Sequence, residues 1–235
     1  MNFTTKIFRY NPEKDKQGHL VKYLVRIEEG MSVLALLHQV HDEQDGRLAY
    51  RYSCRGAICG TCAVMINGVP RLACKTQVSD LLKESETITL EPLAHYEVIK
   101  DLVVDKRPFW QAVQATMPWL FREKELPDER LTYEAHLSKM DLDQLNRSSD
   151  CIKCSCCHAG CPKVDEMPEF IGPAISIQIG KQMFDPRDKN FDERKKISAE
   201  KESVLACDKH AVCVKVCPKD CRPLRAITFI QNRIK

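Results

Sequence analysis

The thirteen cysteines of this chain lie in three short stretches, and their spacing restricts what the chain can fold into. The stretches run from Cys54 to Cys74, from Cys151 to Cys161 and from Cys207 to Cys221. A structural disulfide needs only two thiols, whereas these stretches bring several thiolates to one point. Iron–sulfur clusters require such an arrangement. We therefore expect the cysteines to determine the function and the rest of the chain to hold them in place.

The first stretch has the spacing of a plant-type [2Fe–2S] site. Cys54, Cys59 and Cys62 are separated by four and then two residues, and Cys74 follows on a predicted hairpin. Glycines inside the loop permit the backbone angles that a tight wrap around a cluster requires. The Cys59–Cys62 pair alone would suit zinc equally well. The longer spacing and the distant fourth cysteine favour the cluster.

The second and third stretches resemble the two runs of a bacterial two-cluster ferredoxin. In such proteins the fourth cysteine of each run binds the other cluster, and a proline follows it. The third stretch lacks the middle cysteine of its run. Exchanging the end ligands predicts a [4Fe–4S] cluster held by Cys151, Cys154, Cys157 and Cys217. It leaves a [3Fe–4S] cluster for Cys161, Cys207 and Cys213.

His210 occupies the vacant ligand position of the third cluster. Ligation by its imidazole would allow a second [4Fe–4S] cluster. We favour the alternative, in which His210 only lines the site or donates a hydrogen bond. Two cysteines remain outside the ligand sets. We expect Cys156 to be a buried free thiol and Cys221 to be structural.

Hydrophobic patterning divides the chain into an N-terminal sheet and a C-terminal helical part. Alternation and turn signals predict strands, one helix (Ser32–Val40, with Ser32 as its N-cap) and a hairpin at Asn67-Gly68. We predict an α+β chain with a β-grasp ferredoxin domain at residues 1–104 and a helical two-cluster domain at 105–235. The predicted helices of the second domain are Phe109–Trp119, Leu137–Leu145, Ile175–Met183 and Glu200–Cys207. The charged stretch Asp185–Lys196 is expected to be a solvated surface.

Composition limits location and partners. The net charge of +3 does not indicate a nucleic-acid partner. The sequence shows neither a secretory signal nor an apolar run of the roughly 18 residues that a membrane span needs. We expect thiols that stay reduced and free to bind metal, and a chain that reaches a membrane only through partners.

Motifs along nearly the whole chain resemble the iron–sulfur subunit of succinate dehydrogenase and fumarate reductase. The matching segments are Ser53–Cys62, Arg71–Cys74, Lys100–Asp105, Cys151–Pro162, Phe170–Ala174, Cys217–Lys219 and Arg225–Ile227. The resemblance implies an electron-transfer subunit without substrate-bond catalysis of its own. It also implies a flavoprotein partner carrying FAD, a membrane anchor with or without haem, and quinone at the anchor interface. The expected location is the cytoplasmic face of the inner membrane, held peripherally by these partners.

The chain departs from this family where quinone contacts are expected. Lys163–Pro168 has no aromatic residue, although many members have tryptophans there. Gln231 replaces a residue that is often basic, and Cys221 one that is commonly apolar. These departures leave open a second function, as the relay of a soluble thiol-linked fumarate reductase or a heterodisulfide-reductase-like complex. A structural zinc protein is the non-redox alternative.

Overall fold

The computed structural model describes residues 2–121 and 138–234, and the chain forms two compact units. The first comprises residues 1–106 and 152–160, and the second comprises residues 107–151 and 161–235. The domain boundary between residues 104 and 105 stays a prediction. The structure adds that the segment 152–160 groups with the first unit, because Ala159 is buried against Leu93 and Val104.

The helices and strands of both units follow in chain order. They are β1 (Asn2–Arg9), β2 (His19–Arg26), α1 (Val33–Glu43), β3 (Ala63–Ile66), β4 (Val69–Leu72), α2 (Val78–Glu84), β5 (Ile88–Glu91), β6 (Val98–Lys100), β7 (Val103–Val104), α3 (Arg107–Ala115), α4 (Lys139–Ser149), α5 (Cys156–Ala159), α6 (Pro162–Glu166), α7 (Gly172–Met183), α8 (Phe191–Ala199), α9 (Val212–Lys215) and α10 (Pro223–Ile234). A short 3₁₀ turn covers Val204–Ala206.

The first unit is built on a five-stranded sheet in the order β2-β1-β5-β3-β4. The central strands β1 and β5 run parallel, and antiparallel hairpins flank them on both sides. Ile7, Val25, Ile66 and Leu90 are fully buried in this sheet. A parallel central pair between two hairpins, with one covering helix, is the predicted β-grasp arrangement.

Helix α1 covers the sheet because its apolar residues recur at helical spacing. Leu36, Leu37 and Val40 are all at most 1% exposed. The Oγ of Ser32 accepts a hydrogen bond from the N–H of Ala35 at 3.2 Å. Ser32 is therefore the N-cap that the sequence predicts.

The second unit packs its helices around α7, which is buried along most of its length. Helix α10 crosses α7 closely at Gly180, where an added Cβ would lie 2.9 Å from the Cβ of Ala226. The absence of a side chain at Gly180 allows this approach. Around α7 the unit therefore has a helical core, as the sequence predicts.

A buried arginine organises the loops of the second unit. The guanidinium of Arg194 is fully buried and forms a bidentate pair with Asp188, at 2.6 and 3.2 Å. It also donates to the carbonyls of Thr116, Met117 and Trp119 at 2.9 to 3.0 Å. Burial of charge requires such complete pairing.

Two sequence-based expectations for the second unit were wrong, and a third is only partly covered by the structure. The stretch Asp185–Lys196 is not simply a solvated surface, because Asp188 and Arg194 are buried as a pair. Glu200–Cys207 forms only the 3₁₀ turn at Val204–Ala206, since the segment serves as a loop that carries Cys207. The predicted helix Leu137–Leu145 is α4, although Leu137 lies outside the described residues.

Within residues 2–121 and 138–234, no helix is both long and apolar enough to cross a membrane.

Candidate iron–sulfur centres

The first cysteine loop directs backbone N–H groups at the sulfur of Cys54. This Sγ accepts hydrogen bonds from Gly56, Ile58 and Cys59 at 3.5, 3.3 and 3.2 Å. These bonds, that from Gly56 foremost, lower the pKa of the exposed Cys54 thiol to about 6. Left-handed backbone at Arg55, with φ 56°, turns the loop inward. The loop is therefore preorganised for a thiolate before any metal binds.

The four cysteines of this stretch come together as two pairs. The thiol of Cys59 is hydrogen-bonded with Cys54, and that of Cys62 with Cys74. The hairpin of β3 and β4 joins the second pair, since the N–H of Ala73 donates to the carbonyl of Cys62 at 3.0 Å. Burial is the main cause that raises the pKa of Cys62 to about 12, and the negative charge of Cys59 acts in the same direction. Two thiol pairs fit a [2Fe–2S] cluster, in which each of two irons takes two cysteines.

Gly60 brings this loop against the next cysteine segment of the same unit. Its φ is +71°, and an added Cβ would lie 2.8 Å from the carbonyl oxygen of Ile152. It would also lie 3.0 Å from the Cα of Cys154. Only glycine fits here, because both the backbone angle and the close approach exclude a side chain.

The segment that carries Cys154 and Cys157 is buried in the first unit. Both thiols are 7% exposed, and left-handed residues, Lys153 (φ 53°) and Ser155 (φ 71°), flank Cys154. Cys156 is fully buried, as predicted, and a hydrogen bond with the Cys154 thiol raises the pKa of Cys156 well above its ordinary value.

Lys106 also belongs to this environment. Its Nζ donates to the carbonyl oxygens of Lys153 and Cys154 at 2.9 and 3.4 Å. Burial lowers the pKa of Lys106, and the neighbouring cysteines, Cys154 first, oppose that change. Sequence analysis missed this residue, because spacing along the chain gives no signal for it.

The other two predicted [4Fe–4S] ligands, Cys151 and Cys217, lie in the second unit together with Cys221. The N–H of Cys221 donates to the Sγ of Cys217 at 3.3 Å. The thiol of Cys221 is hydrogen-bonded with both Cys151 and Cys217. The hydrogen bond with the Cys221 thiol lowers the pKa of Cys217 to about 6. The hydrogen bonds with Cys151 and Cys217 raise the pKa of Cys221. Cys221 therefore contacts two predicted ligands, although its position falls outside the ferredoxin spacing.

The three remaining predicted ligands gather within the second unit. Burial first, and then the charges of Cys207 and Cys161, raise the pKa of Cys213 to about 12. The Sγ of Cys207 accepts from the N–H of Lys209 at 3.4 Å. Three mutually close thiols fit a cluster with three cysteine ligands. His210 is exposed, and its role stays a prediction.

Two further polar contacts surround this third group. The Nζ of Lys163 lies 2.8 Å from the carboxylate of Asp208 and 3.2 Å from that of Glu166. The side-chain amide of Gln231 donates to the carbonyls of Val204 and Cys207, at 3.1 and 3.3 Å. Gln231 is thus buried and holds the backbone of a predicted ligand.

No three His, Cys, Asp or Glu side chains among residues 2–121 and 138–234 meet the geometry for holding one metal ion. An iron–sulfur cluster makes a different demand, because its cysteines bind several irons rather than one. The contacts among the predicted cysteine ligands fit this second kind of site.

Comparison with known proteins gives a 2Fe-2S domain followed by a 4Fe-4S domain along the chain. Residues 4–111 match a family described as a 2Fe-2S iron-sulfur cluster binding domain, and residues 144–218 match a 4Fe-4S dicluster domain. The chain is 35% identical over 230 residues to the fumarate reductase iron-sulfur subunit of Haemophilus influenzae. The aligned region covers 94% of this chain and 89% of the relative. The chain belongs to the family of fumarate reductase and succinate dehydrogenase iron–sulfur subunits.

Other members of this family show that the similarity extends to eukaryotes and to the three-dimensional structure. The mitochondrial succinate dehydrogenase (ubiquinone) iron-sulfur subunit of Candida glabrata is 34% identical, covering 98% of this chain and 90% of the relative. A chain of the Mycobacterium smegmatis Sdh1 complex in the apo form is 26% identical, with a TM-score of 0.84 over 99% of this chain and 95% of that chain. The predicted fold class and family are therefore confirmed.

Proposed function

We propose that this chain relays electrons between the FAD of a flavoprotein subunit and quinone at a membrane anchor, in a succinate:quinone oxidoreductase or quinol:fumarate reductase. In this role the complex is held at the cytoplasmic face of the inner membrane. The clusters supply the one-electron chemistry, and the chain sets their position, hydrogen bonding and burial.

The observation that supports the relay most directly is the contact at Gly60. This residue lies between the proposed [2Fe–2S] ligands Cys59 and Cys62, and a Cβ added to it would meet the backbone of Ile152 and Cys154 at 2.8 to 3.0 Å. Electron tunnelling weakens steeply with distance, so direct contact between two cysteine segments favours transfer. A chain with independent structural metal sites would not need this approach.

The proposed ligand sets follow the groups described above. Cys54, Cys59, Cys62 and Cys74 would hold [2Fe–2S]; Cys151, Cys154, Cys157 and Cys217 would hold [4Fe–4S]; and Cys161, Cys207 and Cys213 would hold [3Fe–4S]. Backbone N–H groups at Cys54 and Cys207 stabilise the thiolate forms that bind iron. The chain needs no acid or base at these sites, because its task is electron transfer.

The segment Lys163–Pro168, where electrons would leave the chain, favours a second candidate function. In this function the chain is the relay of a soluble complex. Lys163 is engaged by Asp208 and Glu166, and the segment Lys163–Pro168 contains no aromatic residue to line a quinone pocket. Purification from the native source separates the two candidates. Recovery with a flavoprotein and a hydrophobic, quinone-reactive subunit supports the first; recovery with a flavoprotein alone supports the second.

Electron paramagnetic resonance (EPR) of that purified complex tests the relay itself. We expect a [3Fe–4S] signal in the oxidised state and a [2Fe–2S] signal after reduction by succinate or dithionite. Metal analysis that finds zinc without iron or acid-labile sulfide would contradict any redox role.

The Gly60→Ala substitution tests the proposed path between the first two clusters. We expect it to slow reduction of the [4Fe–4S] cluster several-fold in rapid-freeze EPR, because the added Cβ forces the two segments apart. Gly30→Ala is the matched control, since Gly30 has the same φ of +71° but open space around its Cβ position. Both variants carry a strain of about 1–2 kcal/mol, so equal rates in the two would contradict the path.

A further inference from the structure

Lys106 stands at the end of the first unit and binds a cysteine segment that is distant in sequence. Its ammonium donates to the carbonyls of two consecutive residues, Lys153 and Cys154. These contacts bridge 47 and 48 positions of the chain. Lys106 is partly buried, and removing a lysine charge from water is unfavourable unless polar contacts replace the lost hydration, as these two carbonyls do in part.

The first part of the explanation is the shape of the backbone at Cys154. Lys153 and Ser155 both have positive φ, 53° and 71°, which is uncommon for residues with side chains. Hydrogen bonds from Lys106 to the carbonyls of this turn hold it in that conformation. The direction of the Cys154 thiol depends on the turn, so Lys106 acts on the thiol through the backbone.

The second part is charge. The ammonium of Lys106 interacts favourably with the thiolates of the proposed ligands Cys154 and Cys157. It lines a small cavity with Gly60 and Cys154, so the positive charge lies beside the contact between the two cysteine segments. Arg51 lines the same cavity but is exposed, and water screens its charge more.

We propose that Lys106 is a positioning residue that fixes the Cys154 turn and, as a fixed positive charge, raises the reduction potential of the cluster held by Cys154 and Cys157. The inference rests on the proposed function, because it requires the [4Fe–4S] cluster at these cysteines. Reduction adds one negative charge to the cluster, and a nearby cation in a partly desolvated site favours that state.

A redox titration of the intact complex, followed by EPR, tests the proposal. In Lys106→Met the aliphatic stem remains and the charge is lost. At a fixed ambient potential we expect the ratio of reduced to oxidised [4Fe–4S] cluster to fall about tenfold, equivalent to 59 mV for a one-electron couple. Lys106→Arg keeps the charge and is expected to stay near the wild-type potential.

Lys83→Met is the matched control, because it removes a lysine charge from an exposed position that is paired with Asp80. A shift in Lys106→Met no larger than in Lys83→Met would overturn the proposal. Should Lys106→Met fail to assemble the cluster, Lys106→Gln replaces it under the same criterion, since glutamine keeps a donor without charge. Absence of any [4Fe–4S] signal from the wild-type complex would instead refute the proposed function, which keeps the two failures distinct.

Discussion

The first cysteine stretch, in the first unit, and the third group of predicted ligands, in the second unit, have very different supports. In the first unit, Cys54 to Cys74 lie on a loop and a hairpin attached to a five-stranded sheet with its own apolar core. In the second, Cys161 and Cys213 lie at or in helices of five and four residues, α6 and α9. Helices this short are not stable alone in water. From this difference we expect one group of cysteines to rest on structure that is stable without metal, and the other to depend on what it binds.

Removal of iron is expected to give the largest effect and the sharpest test of this difference. In the cluster-free chain we expect backbone amides of α6 and α9 to lose protection from hydrogen exchange, because metal binding there supplies folding free energy. The amides of β1 and β5 should keep their protection. Hydrogen exchange followed by mass spectrometry measures both at once, and equal loss in the two units would break the comparison.

One buried and one partly buried arginine extend the comparison to stability. Arg194→Met in the second unit is expected to cost about 3–5 kcal/mol of unfolding free energy, since it leaves Asp188 buried without its partner. Chemical denaturation of the cluster-loaded protein measures the change. Lys196→Met is the control, because Lys196 pairs with Glu193 at the surface and the exposed pair contributes little. A loss no greater than the control's would show that the pair does not organise the second unit.

Arg9→Met is the matching change in the first unit, and we expect a smaller loss than for Arg194→Met. Arg9 pairs with Asp45 and with Asp101, but its side chain remains 12% exposed where that of Arg194 is fully buried. Asp101 also keeps the backbone N–H groups of Tyr10 and Ala49 as donors after the change. The same denaturation experiment ranks the two variants, and a reversed order would contradict the explanation from burial.

Acid should reduce the effect of Arg9→Met. Burial alone would raise the pKa of Asp45, but the hydrogen bonds from Arg9 and Arg47, together with the charge of Arg9, outweigh it, and the pKa falls from 3.8 to about 2. A lowered carboxyl pKa means stability that is fully present above pH 3.8 and is lost as the pH falls towards 2. The difference between wild type and variant should therefore shrink across that interval.

Sequence reasoning reached the features that depend on local order. The spacing of Cys54, Cys59 and Cys62 indicated the first loop, and alternating apolar residues indicated the sheet that carries it. The Ser32 N-cap also followed from neighbouring residues alone. Such features are visible because the residues that interact are close in the chain.

Contacts between residues that are far apart in the chain could not be predicted from the sequence. From the sequence, Asp188 and Arg194 were predicted to be surface charges. The neighbouring residues give no sign that the loop around Met117 buries this pair and accepts its hydrogen bonds. Gln231 read only as the loss of a basic residue, whereas its amide supports the backbone of Cys207. Tertiary packing decides the role of such side chains, and a single sequence does not display it.

The discontinuity of the first unit has a consequence for synthesis on the ribosome. Its sheet is complete in sequence by residue 106, yet Ala159 supplies part of its apolar surface. Until Ala159 leaves the exit tunnel, a nascent chain exposes the patch formed by Leu93 and Val104 to water and to neighbouring chains. A sheet that folds early must therefore wait, partly uncovered, for about fifty further residues, at an elongation rate of about 5–20 residues per second.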